Sequence, residues 1–163
     1  NESLAHAFAY ETKIPVIGLR FFTVYGPWGR PDMAYFKFAS LIKNGEPLTL
    51  FNKGAMSRDM TYIDDIVFGI AAAVEFSHLD QNLPYEIFNL GNNHPIPTLD
   101  LIHSIQEFYG AEAHIIHQDS QTEVENTWAD ISKSQANLDY QPKTKFQQGI
   151  EQFLEWHKLY FSS

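Results

Sequence analysis

The feature that most constrains the fold is an apolar strand that runs directly into a turn. Residues 18–34 read GLRFFTVYGPWGRPDMA, with two glycines and two prolines in the turn. Glycine and proline restrict the backbone of such a turn, and the threonine, tyrosine, arginine and aspartate around them supply polar and charged groups. An α/β enzyme delivers polar groups to a site in this way. Residues 18–34 therefore predict a strand-to-helix connection beside a functional site.

The rest of the chain alternates short apolar runs with amphipathic stretches, which favours an α/β or α+β organisation. With 163 residues, 44% of them hydrophobic and 15% aromatic, the chain can bury a core, and one compact unit is expected. The predicted strands are 16–22, 48–51, 86–90 and 113–117. The predicted helices are one that ends near Lys13, 33–44 with Gly45 as its C-cap, one capped by Asp64 or Asp65, one capped by Thr98, one capped by Asp130, and a closing helix with a Thr144–Gln147 capping box that buries Phe146, Ile150, Phe153, Leu154 and Phe161.

Charge and composition argue against several classes of partner. The formal net charge is −9 and no basic run occurs, which disfavours a surface for nucleic acid or anionic membranes. There is no cysteine, so disulfides and thiolate metal sites are excluded, and a reducing cytosol is compatible. No apolar run reaches the roughly 20 residues that span a bilayer. The chain opens without methionine on what reads as the later part of a helix, so we expect a piece of a longer protein.

Several other patterns have ordinary structural explanations. Asp64 and Asp65 look like an acid/base pair, but capping and solvation explain adjacent carboxylates better than catalysis. His114 and His117 are three residues apart, which on a strand points them to opposite faces, so no metal site is predicted. No GxSxG nucleophile elbow occurs. The turn at residues 26–29 reads GPWG, which lacks the GxGxxG spacing of a phosphate-binding loop.

Four segments together resemble the extended short-chain dehydrogenase/reductases of the NAD-dependent epimerase/dehydratase family. In order they are RFFTVYGPWGRPDMA, GEPLTLFNKGAMSRDMTYIDDIVFGI, FNLGNNHPIPTLDLI and ADISKSQANLDYQP. The resemblance covers essentially the whole chain. The GPWGRPDMA segment is similar in particular to the UDP-glucuronate 4-epimerases.

The resemblance implies a Rossmann-type α/β enzyme with a smaller mixed α/β substrate-binding domain. Residues 1–31 would end the nucleotide-binding region, and residues 32–163 would be mainly the substrate-binding region. The family's Gly-rich dinucleotide loop and its Tyr-x-x-x-Lys pair do not occur in this sequence. We therefore assign no catalytic residue here and expect NAD to bind mainly through a preceding segment.

The resemblance also implies roles for individual residues. Arg58 matches the arginine that binds the substrate diphosphate, a task suited to a planar cation. Thr23 and Arg30 could hold a hexuronate carboxylate, and Phe21 matches an aromatic residue beside the nicotinamide. The other matched substrate-side residues are Asp32, Met33, Thr49 and Phe51.

The segment before the family's AD-x-x-K motif departs from the usual pattern. Many relatives carry an Arg-Pro-Gly-Asp type sequence there, whereas residues 120–123 read SQTE. Ser120 cannot replace a cation, so a second diphosphate arginine is missing. Glu123 could replace the acid that contacts the nucleotide ribose or orders the loop.

Three functions fit these observations. The chain could be half of a nucleotide-sugar 4-epimerase, with a dehydratase or decarboxylase of the same family as the nearest alternative. It could be a free-standing nucleotide-sugar binding module, or an inert remnant that only stabilises a fold. For the first we expect a UDP-sugar substrate, a cytoplasmic homodimeric parent and an inactive isolated chain. Its opening helix and first strand should expose apolar surface and could self-associate.

Overall fold

The computed structural model describes residues 1–79, 85–122 and 124–161, which form six α-helices, one short 3-10 helix (Asn52–Gly54) and eight strands. The helices are α1 (Glu2–Thr12), α2 (Ala34–Asn44), α3 (Ile63–Leu79), α4 (Thr98–Tyr109), α5 (Ser132–Leu138) and α6 (Phe146–Tyr160). The strands are β1 (Val16–Phe21), β2 (Thr23–Tyr25), β3 (Pro47–Phe51), β4 (Ser57–Tyr62), β5 (Tyr85–Leu90), β6 (Pro95–Pro97), β7 (His114–Gln118) and β8 (Asn126–Thr127).

Strand β4 lies at the centre of the pairing pattern. Its first half pairs antiparallel with β6 on one side and parallel with β8 on the other. Its second half pairs parallel with β2. Two further parallel pairs, β1 with β5 and β3 with β7, lie apart from it. The predicted mixed α/β class is confirmed. Strand β4 pairs with three other strands, β2, β6 and β8.

The buried apolar residues form two clusters. One packs α2, α4 and α6 against β2, β3 and β4, and its largest members are aromatic, such as Tyr25, Tyr35 and Phe153. The other packs α3 and the 129–140 segment against β5, with Phe88 and Tyr140 at its centre. Turn residues 26–31 leave β2 beside the first cluster, so its packing fixes their position.

The two helix ends that were predicted from a proline or a glycine, those of α1 and α2, are confirmed. Lys13 adopts a left-handed conformation directly after α1 and before the Ile14–Pro15 step, as expected for a helix stopped by a proline. Gly45 ends α2 with a φ of 67°. The cap predicted at Asp130 is wrong by one residue, because Ile131 is the N-cap of α5; the Asp130 Oδ1 still accepts the backbone N–H of Ser132, the first residue of the helix, at 3.0 Å.

Three predicted caps are wrong because their side chains bind elsewhere. α3 begins at Ile63, and the Asp65 carboxylate accepts the backbone N–H groups of Lys143 and Thr144. α6 begins at Phe146 and not at Thr144, and the Gln147 side chain accepts from Ser104. Thr98 is the first residue of α4, and its hydroxyl donates to the carbonyl of Met56.

The predicted strand 16–22 divides into two. Phe22 gives its N–H to Leu90 at the end of β5, and from Thr23 the chain pairs with β4 instead. Phe161 was also predicted incorrectly, since it follows α6 and is 49% exposed.

The predicted exposed apolar surface is confirmed. Leu4 and Phe8 of α1 are 74% and 49% exposed, and Phe21 at the end of β1 is 49% exposed. Self-association through this surface stays a prediction.

Among residues 1–79, 85–122 and 124–161, no helix combines the length and the hydropathy needed to cross a bilayer.

His157 gives the core a specific pH sensitivity. It is 1% exposed, with Nε2 at 3.0 Å from Ser40 Oγ and Nδ1 at 2.8 Å from Tyr109 Oη. Burial, and secondarily the Lys43 charge, lower the pKa of His157 from 6.5 to about 4. The folded state favours the neutral imidazole of His157. The contribution of His157 to the free energy of unfolding therefore has its full value above pH 6.5 and decreases as the pH falls towards 4.

Urea unfolding at several pH values checks this expectation. Between pH 7 and pH 4, the free energy of unfolding should fall by about 3 kcal/mol more in the wild type than in His157→Gln, whose side chain does not titrate. Parallel pH profiles for the two proteins would contradict it.

Candidate substrate site

The turn after β2 depends on two glycines that allow close packing. Gly26 has a φ of 146°, and a Cβ there would lie 2.7 Å from the side chain of Ile63. A Cβ on Gly29 would lie 1.8 Å from the hydroxyl of Tyr35. Both glycines are therefore required where the turn meets the core, and the turn is held firmly enough to position the residues after it.

Three of the predicted substrate residues line one small cavity, here called the Arg58 cavity. It has a volume of about 130 Å³ and is bordered by Thr23, Met33 and Arg58, together with Tyr35 and Met60. Thr23 comes from β2, Met33 precedes α2 and Arg58 lies on β4, so three separate elements bring these residues together. A cation, a hydroxyl and apolar walls suit a ligand that has an anionic part.

A second and larger cavity adjoins the first and is here called the Arg30 cavity. It has a volume of about 430 Å³ and is bordered by Phe21, Trp28 and Arg30. Met33 and Tyr35 line both cavities and form their common wall. The structure therefore places Phe21, Thr23, Arg30, Met33 and Arg58 around two neighbouring cavities.

Carbonyl groups of the 124–125 segment orient the Arg58 guanidinium. Its Nη1 donates to the carbonyl of Val124 at 2.7 Å and to that of Ser57 at 3.0 Å. A longer bond of 3.4 Å reaches the carbonyl of Glu125. The side chain is half-buried on the central strand, which fixes its base. Arg58 is therefore a pre-oriented cation at the cavity wall.

Arg30 forms a bidentate ion pair with Asp32. Its Nε lies 3.0 Å from Oδ1 and its Nη2 lies 2.5 Å from Oδ2. These hydrogen bonds lower the pKa of the Asp32 carboxyl and raise that of Arg30. Both side chains are largely exposed, so water screens the pair and it adds little to stability.

Thr49 and Phe51 lie away from both cavities. They belong to β3, where Leu48 and Leu50 point into the core while Thr49 is exposed and Phe51 is half-buried. β3 pairs with β7, and neither Thr49 nor Phe51 lines the Arg58 or the Arg30 cavity. Glu123 lies outside the described residues.

Sequence reasoning missed Asp59, a buried carboxylate next to Arg58. It is 0% exposed and accepts three backbone N–H bonds, from Asn92 at 2.7 Å, Asn93 at 2.9 Å and Ala129 at 2.7 Å. The available signal was an aspartate followed directly by the core residue Met60 on one strand, since a carboxylate that enters a core is buried only with partners. Asp59 ties β4 to the turn after β5.

No metal centre is found in the described part of the chain. Within it, no group of three or more histidine, cysteine, aspartate or glutamate side chains could hold an ion. His114 and His117 lie exposed on β7.

The fold and the two adjoining cavities define a mixed α/β unit with an arginine at the wall of each cavity. The chain belongs to the NAD dependent epimerase/dehydratase family, whose family model matches residues 1–91. The resemblance seen in the sequence is thereby confirmed.

Individual relatives support the same family assignment. Protein CapI of Staphylococcus aureus is 38% identical over 99% of this chain and 52% of its own length, and UDP-glucuronate 4-epimerase 4 of Arabidopsis thaliana is 38% identical over 99% of this chain and 40% of its own length. The crystal structure of the UDP-glucuronic acid 4-epimerase from Bacillus cereus with UDP-glucuronic acid and NAD superposes with a TM-score of 0.89 at 35% identity, covering 98% of this chain and 50% of that one. This chain thus spans about half the length of the relatives it matches.

Proposed function

We propose that this chain is the substrate-binding half of an NAD-dependent UDP-sugar 4-epimerase that interconverts UDP-glucuronate and UDP-galacturonate. The observation that carries the proposal is the meeting of Thr23, Met33 and Arg58 at one cavity beside a second cavity that holds Arg30. The likeness to a UDP-glucuronic acid 4-epimerase over 98% of the chain supports it. The proposed division after residue 31 and the homodimeric, cytoplasmic parent belong to the same proposal.

The two cavities suit two parts of a UDP-sugar. Arg58 would bind the diphosphate, because a guanidinium presents a planar set of donors to phosphate oxygens. The sugar would lie across the wall formed by Met33 and Tyr35, with its carboxylate towards Arg30 and the Thr23 hydroxyl. Contacts with these remote groups position C4 for reaction without taking part in it.

The residues present fit one edge of a nicotinamide. Phe21 ends β1, is 49% exposed and borders the Arg30 cavity, so its ring can cover a planar group there. When bound, NAD supplies reversible hydride transfer at C4 of the sugar. Since this sequence has no Gly-rich loop and no Tyr-x-x-x-Lys pair, we propose that a segment outside it holds the dinucleotide and the proton-transfer groups. The isolated chain is then expected to be inactive.

Arg30 and Thr23 would also protect the substrate. A 4-keto uronate carries its carboxylate on the carbon next to the ketone, so the C5–C6 bond can break, release CO₂ and leave its electrons in an enolate that is protonated at C5. This bond breaks readily only when it is aligned with the π orbitals of the ketone. A carboxylate that is held out of that alignment therefore resists the loss of CO₂.

We therefore expect Arg30→Gln or Thr23→Val in the complete protein to raise the ratio of CO₂ released to UDP-galacturonate formed by about tenfold. The ratio is measured by trapping CO₂ and separating the nucleotide sugars. Thr23→Ser keeps the hydroxyl and should leave the ratio near that of the wild type. Unchanged ratios in the first two variants would rule out this role.

The choice of sugar is tested by comparing kcat/KM for UDP-glucuronate and UDP-glucose. The proposal predicts a clear preference for the uronate that Arg30→Gln removes. An equal or greater kcat/KM for UDP-glucose in the wild type would instead favour a neutral-hexose epimerase.

A further inference from the structure

Asp32 occupies the Arg30 guanidinium, which the carboxylate of the proposed substrate would also bind. Arg30 borders the Arg30 cavity, and Asp32 binds its Nε and Nη2 atoms through both carboxylate oxygens. A guanidinium has five N–H donors in a rigid arrangement, and one bidentate carboxylate takes one edge of it. A second carboxylate must either bind another edge of the guanidinium, next to the negative charge of Asp32, or displace the Asp32 carboxylate.

The backbone of Arg30 is held independently of Asp32. The N–H of Met33 donates to the carbonyl of Arg30 at 3.2 Å, and the N–H of Gly29 donates to that of Gly26 at 3.2 Å. Pro31 further restricts the turn between the two charged residues. Loss of the Asp32 carboxylate therefore removes a charge and two hydrogen bonds without removing what places Arg30 at the cavity.

The pair is also weak enough to exchange. The side chains of Arg30 and Asp32 are 76% and 56% exposed, so water competes for both groups. Besides the hydrogen bonds from Arg30, the charge of Lys37 also lowers the pKa of Asp32 and so favours the ionised carboxylate. Asp32 is thus a charged and exchangeable ligand of Arg30.

We propose that Asp32 competes with the substrate carboxylate for Arg30 and so limits the affinity of the site for uronates. This inference rests on the proposed function, in which Arg30 receives that carboxylate. Asp32 is then a specificity-determining residue that acts through Arg30. With the pair formed, a neutral hexose meets no uncompensated cation, whereas a uronate must overcome the Asp32 charge.

Steady-state kinetics of Asp32→Asn in the complete protein test the inference. Without the competing carboxylate, the Nε and Nη2 donors of Arg30 become available to the substrate, which should lower the KM for UDP-glucuronate about three- to tenfold while kcat stays within about twofold. The KM for UDP-glucose should not change. In an Arg30→Gln background, Asp32→Asn should have no effect on the KM for UDP-glucuronate, because no guanidinium is left for the two carboxylates to compete for.

Glu155→Gln is the matched control, since Glu155 is an exposed carboxylate on α6 and its loss changes the net charge equally. It should leave both KM values unchanged. An unchanged or raised KM for UDP-glucuronate in Asp32→Asn, or an equal fall for UDP-glucose, would overturn the inference while the proposed function stands. A wild-type protein that does not convert UDP-glucuronate overturns the proposed function, and this inference with it.

Discussion

Replacement of Asp59 by alanine is expected to lower the free energy of unfolding of this chain by about 4 kcal/mol, and replacement by asparagine by about 2 kcal/mol. The carboxylate is 0% exposed and receives N–H bonds from residues 33, 34 and 70 positions away along the chain. Alanine leaves three backbone donors without an acceptor, and the N–H of Ala129 among them is buried. Asparagine keeps an acceptor oxygen but turns its own N–H donors towards backbone N–H groups.

Urea unfolding of the wild type and the two variants measures this effect. Asp64→Asn is the control, because Asp64 lies exposed in the first turn of α3 and its loss changes the net charge equally. The control should change stability by less than about 0.5 kcal/mol. If Asp59→Ala cost no more than Asp64→Asn, the Asp59 carboxylate would not be the link between β4 and the turn after β5.

Replacement of Arg58 by alanine in the complete protein should raise the KM for UDP-glucuronate about 30-fold or more. The reason is the loss of the charge-assisted contact that we propose between the Arg58 guanidinium and the substrate. Arg58→Lys keeps the charge but loses the planar donor set, so an increase of about tenfold is expected. UDP inhibition should weaken in parallel, because the proposed contact is with the diphosphate.

Lys133→Ala provides the control for Arg58. The Lys133 ammonium group pairs with Glu86 on β5, so its removal also takes away one positive charge. It should change the KM by less than about twofold. An Arg58→Ala protein that binds UDP and UDP-glucuronate as tightly as the wild type would exclude Arg58 from the diphosphate site.

Local signals in the sequence predicted much of the fold. The end of α1 before Pro15 and the end of α2 at Gly45 depend on residues within a few positions, and both agree with the structure. The family motifs also predicted residues that meet in space, since Thr23, Met33 and Arg58 line one cavity. Five of the predicted site residues therefore lie around two neighbouring cavities.

Distant partners explain what the sequence could not predict. The division of strand 16–22 at Phe22 depends on β5 and β4, which compete for neighbouring parts of one apolar run. Asp65 leaves the cap position because Lys143 and Thr144, 78 and 79 residues away, present N–H groups to it. The ion pair of Arg30 with Asp32 is local, but no pattern indicated that the carboxylate would face the cation.

Incubation of the complete protein with NAD and UDP-glucuronate tests the central claim most directly. The proposal predicts formation of UDP-galacturonate up to an equilibrium mixture that is also reached from UDP-galacturonate, without net accumulation of NADH or CO₂. The absence of conversion, or a product that is a deoxy sugar or a pentose formed with loss of CO₂, would contradict the epimerase assignment.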